Sequence, residues 1–220
     1  MQYPEIFPPH FTAAIFDMDG TMVNNMSQHQ RAWEMFLKRY NMTLTDEEFH
    51  LKVSGRKNAQ IFEEVFGETL SSKTVQAFAD EKEAIYREVY APDIREIDGL
   101  ARIVEILRKR GLRIAVATTA PVKNREFVLD ALGMKEKFEV IIGDEHVSHG
   151  KPNPEIYLST ARKLGVSPNQ CIVFEDSPPG VEAGKNAGMV VVGVLSSQTP
   201  ASLKLADYLI NDYTELGMAG

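Results

Sequence analysis

Asp17 and Asp19 stand two residues apart just after the apolar run Ala13-Ala14-Ile15-Phe16, and Gly20 follows them. Side chains two apart on an extended segment face the same way, so both carboxylates can reach a group held at one strand end. The glycine permits a sharp turn away. One carboxylate of such a pair can attack phosphorus, while the other donates a proton to the leaving oxygen and later takes one from the acceptor. A solvated Asp-Gly turn would leave the same local pattern, so the pair gains its meaning from three further pieces. These are Thr118, Lys151-Pro152 and Glu175-Asp176, each at or soon after the end of another apolar run. Strand ends of this kind are where an α/β sheet collects its ligand-binding loops.

Each piece brings a group that phosphoryl transfer needs. Glu175-Asp176 beside the first acids would make an oxygen-rich pocket suited to Mg²⁺, although taken alone the two acids read equally as the cap of a following helix. Clustered carboxylates repel one another and a phosphate, and a divalent ion removes that conflict. Lys151, between Gly150 and Pro152, supplies a positive charge, and Thr118 offers a hydroxyl. The glycine-rich phosphate loop that ends in Gly-Lys-Ser/Thr is absent, because proline follows Gly150-Lys151.

The elements that must position these groups alternate. Ala13 to Phe16, Leu112 to Ala117, Val140 to Ile142, Cys171 to Phe174 and Val190 to Val194 are short apolar or β-branched runs, as expected for strands buried on both faces, with Tyr208 to Ile210 as a sixth candidate. Helical patterns at Leu100 to Arg110, Val122 to Leu132, Pro154 to Leu164 and Gly180 to Ala187 lie between them, each followed by a glycine stop signal. The alternation predicts an α/β fold, a Rossmann-like doubly wound parallel sheet with helices on both faces. Amphipathic stretches at Gln28 to Tyr40, Asp46 to Lys52, Asn58 to Phe66 and Ser72 to Tyr90 interrupt the rhythm and read as an inserted α-helical cap domain. The expected core is residues 1–23 and 96–220, with the cap at 24–95 and polar or turn-forming borders suited to a hinge.

Composition narrows the partners. A net charge of -7 without a Lys/Arg-rich block argues against sequence-independent nucleic-acid binding. No apolar stretch approaches the ~20 residues that span a bilayer. The N-terminus lacks a basic region followed by a hydrophobic one, so a cytoplasmic location is expected. Cys171, the single cysteine, sits in an apolar run and reads as a small core residue. His146 and His149 read as solvated loop histidines.

The four motifs in this order resemble those of the haloacid dehalogenase superfamily, and within it the β-phosphoglucomutase-like branch of sugar-phosphate phosphatases and mutases. The resemblance spans essentially the whole chain. It implies Asp17 as the nucleophile that forms an aspartyl phosphate, Asp19 as general acid/base, and Thr118 and Lys151 as ligands of the transferring phosphoryl group. It implies Mg²⁺ as cofactor, held by the Asp17 carboxylate, the Asp19 backbone carbonyl and Asp176, with Glu175 close by or acting through water. Cap positions His29, Trp33, Arg56 and Lys82 resemble those that meet substrate in the mutase, and Thr119 and Asn124 are further substrate-binding candidates. Two departures bear on the reaction. Ala120-Pro121 replaces the Ser-Lys-Asn that helps hold a second phosphate in the mutase, and Asn24-Asn25 replaces the hinge Asp-Thr. These favour hydrolysis of a small sugar monophosphate, with a β-phosphoglucomutase-type phosphohexomutase as the alternative. An inorganic pyrophosphatase and a non-catalytic phosphosugar-binding protein are further readings. A monomer is expected, since a cap over a core domain must move.

Overall fold

The computed structural model describes residues 9–45, 48, 58–67 and 69–216. The chain separates into two compact units, one built from the residues up to Asn24 and from Ile94 onward, the other from Asn25–Asp93.

The first unit is a six-stranded sheet. Its strands are β1 (Ala13–Phe16), β2 (Arg113–Ala117), β3 (Val140–Ile142), β4 (Cys171–Glu175), β5 (Val190–Val194) and β6 (Tyr208–Ile210). All pairings are parallel and the order is β3-β2-β1-β4-β5-β6. Connection order reverses at β1, whose Phe16 pairs with Val116 on one side and Phe174 on the other. Phe16, Ala117 and Phe174 therefore end close together, and the residues that follow them leave the sheet at one place, the switch point where open α/β sheets bind ligands.

Side-chain alternation along β1 divides the core between the faces. Ala13 and Ile15 join one apolar cluster with Ile156, Tyr157, Ala161 and Leu164 of the helix Glu155–Leu164 and with Val181 and Ala183 of the helix Pro178–Asn186. On the other face Phe16 stacks on Phe174 with ring centroids 4.5 Å apart, and Tyr213 packs against both. Cys171 lies fully buried in the first cluster, as its apolar run predicts. The other helices of this unit are Leu100–Lys109 and Val122–Ala131. Gly165 caps the helix Glu155–Leu164 in the left-handed conformation with φ 67°, an expected role for glycine past a helix end. The helix expected from Gly180 begins earlier, at Pro178, because prolines are tolerated in the first turn and Ser177 caps Gly180 N–H.

The helical unit contains α1 (Met26–Arg39), α2 (Asn58–Phe66) and α3 (Ser72–Tyr90). Aromatic pairs at helical spacing, Phe36/Tyr40 and Phe62/Phe66, meet Phe78 and Trp33 in one cluster. The Ser71 hydroxyl accepts from Thr74 N–H at the start of α3. Apart from Glu48, the amphipathic stretch Asp46 to Lys52 lies outside the described residues.

Candidate active site

The site grows from the ends of β1, β2 and β4. Asp17 follows β1, with its N–H donating to Phe174 O at 3.0 Å, and one carboxylate oxygen accepts from Lys151 Nζ at 2.7 Å. Among the described residues the other Asp17 oxygen has no donor. Lys151 also donates to Glu175 Oε1 at 2.5 Å and lies over the Tyr157 ring. Asp17, Glu175 and Asp176 are all buried. Parallel register of β1 and β4 sets Asp17 near Glu175 and Asp176, and Lys151 reaches them from the loop between β3 and the helix Glu155–Leu164.

Glu175, expected close to a metal or acting on it through water, is held by four donors. Its Oε1 accepts from Lys151 and from the Tyr157 hydroxyl, and its Oε2 accepts from Ser177 N–H at 2.7 Å and the Ser177 hydroxyl at 3.0 Å. With both oxygens engaged, the carboxylate aims the lysine. Gly180 makes room for it: a Cβ there would lie 1.7 Å from Glu175 Oε1.

Asp176 is held differently. Ser197 donates to Oδ2 at 2.6 Å and Thr21 lies 3.4 Å from Oδ1. The turn after Asp19 is drawn tight against this carboxylate. Gly20 has φ +76°, and a Cβ on it would lie 2.0 Å from Asp176 Oδ2. The turn is braced by the Tyr213 hydroxyl, which donates to Thr21 O at 2.9 Å, and by the Ser196 hydroxyl on Gly20 O. Gly20→Ala is therefore expected to push Asp176 from position, lowering kcat/KM on the order of a hundredfold and lowering the melting temperature. Steady-state kinetics and a thermal melt would check both.

Thr118 is buried, and its hydroxyl oxygen accepts from Ala120 N–H at 3.1 Å while donating to no described residue. That proton is left for a ligand oxygen. Thr119 beside it is exposed, whereas Asn124 is buried in the helix Val122–Ala131.

Buried negative charge outweighs buried positive charge at the site. Burial pushes the Asp17 carboxyl well above its ordinary pKa against the pull of Lys151, and Glu175 and Asp176 push it further. Asp176 is pushed up to about 7, by burial first and Glu175 second. Burial alone would lower the Lys151 ammonium, but Asp17 and Glu175 outweigh it and hold its pKa well above the usual value. Three buried carboxylates face one ammonium. An oxygen-seeking divalent cation fits this set, with Asp17, Asp176 and the Asp19 backbone carbonyl as the residues that would hold it. Among the described residues no three His, Cys, Asp or Glu side chains gather as a metal cluster; two carboxylates and a carbonyl are compatible with Mg²⁺, which commonly keeps water and substrate phosphate in its remaining positions.

A pH dependence follows for protein stripped of divalent ions. Because the folded Asp176 binds its proton more tightly than the unfolded chain, whose value is near 3.8, its stabilising contribution is full below that value and is lost as pH rises through about 7. Asp17 acts in the same direction. Melting temperature measured from pH 4 to 8 in chelator is expected to fall more steeply for the wild type than for Asp176→Asn, and that difference separates the site from the surface acids.

In the helical unit, His29, Trp33 and Lys82 come together. The His29 ring stacks on Tyr86 with centroids 3.9 Å apart, and its Nδ1 lies 3.0 Å from Lys82 Nζ. Lys82 is buried, pairs with Glu83 at 3.0 Å and lies over the Trp33 ring. Trp33 itself belongs to the aromatic core. Arg56 lies outside the described residues. His146 and His149 are both exposed; His146 Nδ1 accepts from Gly143 N–H, and His149 lies beside Glu155.

Tyr157, Ser177, Ser197 and Tyr213 were not among the residues predicted from sequence. Only Ser177 carries a local signal, a serine before two prolines at a helix start.

Known proteins resemble this chain in sequence and fold. The family model described as haloacid dehalogenase-like hydrolase matches residues 14–194. Validoxylamine A 7'-phosphate phosphatase of Streptomyces hygroscopicus subsp. limoneus is 30% identical over 206 residues, covering 94% of this chain and 96% of that protein. Fructose-1-phosphate phosphatase YqaB of Escherichia coli is 30% identical over 186 residues, covering 84% and 96%. The crystal structure of β-phosphoglucomutase from Clostridium difficile superposes with a TM-score of 0.83 at 26% identity, covering 94% of this chain and 93% of that one. The chain belongs to the haloacid dehalogenase-like hydrolases, and it is an enzyme of their phosphatase and phosphohexomutase branch.

Proposed function

We propose that this enzyme hydrolyses a small sugar monophosphate in two steps through an aspartyl phosphate on Asp17. The observation that carries this reading is the Asp17 carboxylate, buried with one oxygen fixed by Lys151 and the other without a described donor. In the first step that oxygen attacks phosphorus, the bond to the sugar oxygen breaks, and Asp19 gives the departing oxygen its proton. In the second, Asp19 takes a proton from water as the water oxygen attacks phosphorus, and the bond to Asp17 breaks to release inorganic phosphate. Lys151 and the Thr118 hydroxyl hold the phosphoryl oxygens throughout. Bound Mg²⁺ would screen the nucleophile and polarise the phosphoryl oxygens.

Sugar phosphates are favoured as substrates by two relatives named for phosphorylated sugar-like compounds. Transfer to a second sugar hydroxyl, as in a mutase, is the second reading, supported by the likeness to β-phosphoglucomutase. Hydrolysis is preferred because Ala120-Pro121 follow Thr118-Thr119 where the mutase has Ser-Lys-Asn, and the exposed Lys123 comes only later, at the start of the helix Val122–Ala131. The mutase's arrangement for a second phosphate is therefore altered.

The test is a panel of sugar monophosphates, with pyrophosphate and β-glucose 1-phosphate plus its bisphosphate, incubated with Mg²⁺ or with excess chelator. Free phosphate without isomer is expected, and only with Mg²⁺. Isomer without phosphate would establish the mutase, and turnover undiminished in chelator would contradict the metal assignment.

A further inference from the structure

The geometry points to Arg125 as a positioning residue for the phosphoryl-binding hydroxyl of Thr118, an inference that rests on the phosphatase reading above. Arg125 belongs to no sequence motif, yet its guanidinium is buried at 7% side-chain exposure, where a cation without a task is costly. Three contacts fix it. Nη1 donates to Ala120 O at 2.9 Å and to Glu145 Oε2 at 2.8 Å, and Nη2 donates to Glu145 Oε1 at 2.5 Å. The fork on Glu145 is bidentate, a geometry that a lysine cannot reproduce.

The neighbouring backbone makes room for this pair. A Cβ on Gly143 would lie 1.4 Å from Arg125 Nη1 and 2.5 Å from Glu145 Oε2. Gly143 has extended backbone, with φ -122°, so occupied space and not backbone conformation accounts for the glycine. It follows β3 directly, and Ile142 O accepts from Thr118 N–H.

Ala120 transmits the effect. Its carbonyl is taken by Arg125, and its N–H donates to Thr118 Oγ1. Arg125 therefore fixes the carbonyl of Ala120, the residue whose own N–H, in the preceding peptide unit, occupies a lone pair of the Thr118 hydroxyl and leaves the hydroxyl proton for the ligand. Glu145 anchors the same guanidinium from the loop that leads on to Lys151, so one side chain joins the two loops that supply the phosphoryl ligands.

The experiment is a double-mutant cycle on the Mg²⁺-loaded enzyme, with Arg125→Lys, Thr118→Ala and the pair. Each variant is also assayed for competitive inhibition by inorganic phosphate and for melting temperature. Arg125→Lys is expected to lower kcat/KM about tenfold and to weaken phosphate inhibition. In the Thr118→Ala background the same change is expected to cost less than about twofold, since the residue it acts through is gone. Glu145→Gln, which keeps the shape of the anchor, is expected to give a smaller loss of the same kind. A full tenfold loss from Arg125→Lys in the Thr118→Ala background would overturn the inference. So would a lowered melting temperature with kcat/KM and phosphate inhibition unchanged. Wild-type enzyme that releases no phosphate from any substrate would instead overturn the phosphatase reading beneath it.

Discussion

Asp17→Asn enzyme is expected to release phosphate at least about a thousandfold more slowly than the wild type, with its fold intact. The amide matches the carboxylate in shape but cannot attack phosphorus. Lys151 keeps Glu175 as a partner after the change, so no buried cation is stranded. The substitution also removes a carboxylate whose ionisation burial already opposes. Protein stripped of divalent ions at neutral pH is therefore expected to melt no lower as Asp17→Asn than as wild type. Loss of activity with undiminished stability is the pattern expected when a functional group is retained at a cost to the fold. Two independent preparations should be compared, since a trace of host phosphatase would mimic survival. Activity reproducibly near wild type would remove Asp17 from the chemistry.

Lys151→Met should fail in both respects. Without the ammonium, Asp17, Glu175 and Asp176 remain buried with no cation described among them. Breaking a buried ion pair from one side costs about 3–5 kcal/mol, and urea unfolding of stripped protein at pH 8 is expected to show a loss of that size. Removing one preorganised donor to the phosphoryl oxygens lowers kcat on the order of 100- to 1000-fold. Adding Glu175→Gln to Lys151→Met separates the two effects. The double variant should recover much of the stability, because one uncompensated carboxylate is gone, and none of the activity. Recovery of activity with stability would show that Lys151 serves the fold alone.

The places of the candidate site residues were legible where a motif sits at the end of an apolar run. Ala13 to Phe16 must be a buried strand, so Asp17 must emerge at its end, and the same holds for Thr118 after β2 and Asp176 after β4. The six strands follow their apolar runs, and helix ends shifted by one or two residues, with capping deciding the start at Ser177 and Pro178. Residues that aim these groups were not legible. Tyr157, Ser197, Tyr213 and Arg125 are ordinary side chains in their local sequence, and each acquires its role from a partner brought near by tertiary packing. The same limit hides the surroundings of Glu175, whose partners Lys151, Tyr157 and Ser177 are set by tertiary packing and helix capping.

Chemical trapping of the intermediate tests the central claim most directly. Enzyme mixed with Mg²⁺ and its best substrate is quenched in acid within one turnover, digested, and searched by mass spectrometry for one added phosphoryl group. The two-step route through Asp17 predicts that mass on the peptide containing Asp17, labile to hydroxylamine as an acyl phosphate is, and missing from Asp17→Asn. A phosphoryl group found on another residue, or none on any peptide while phosphate is released at full rate, would contradict it.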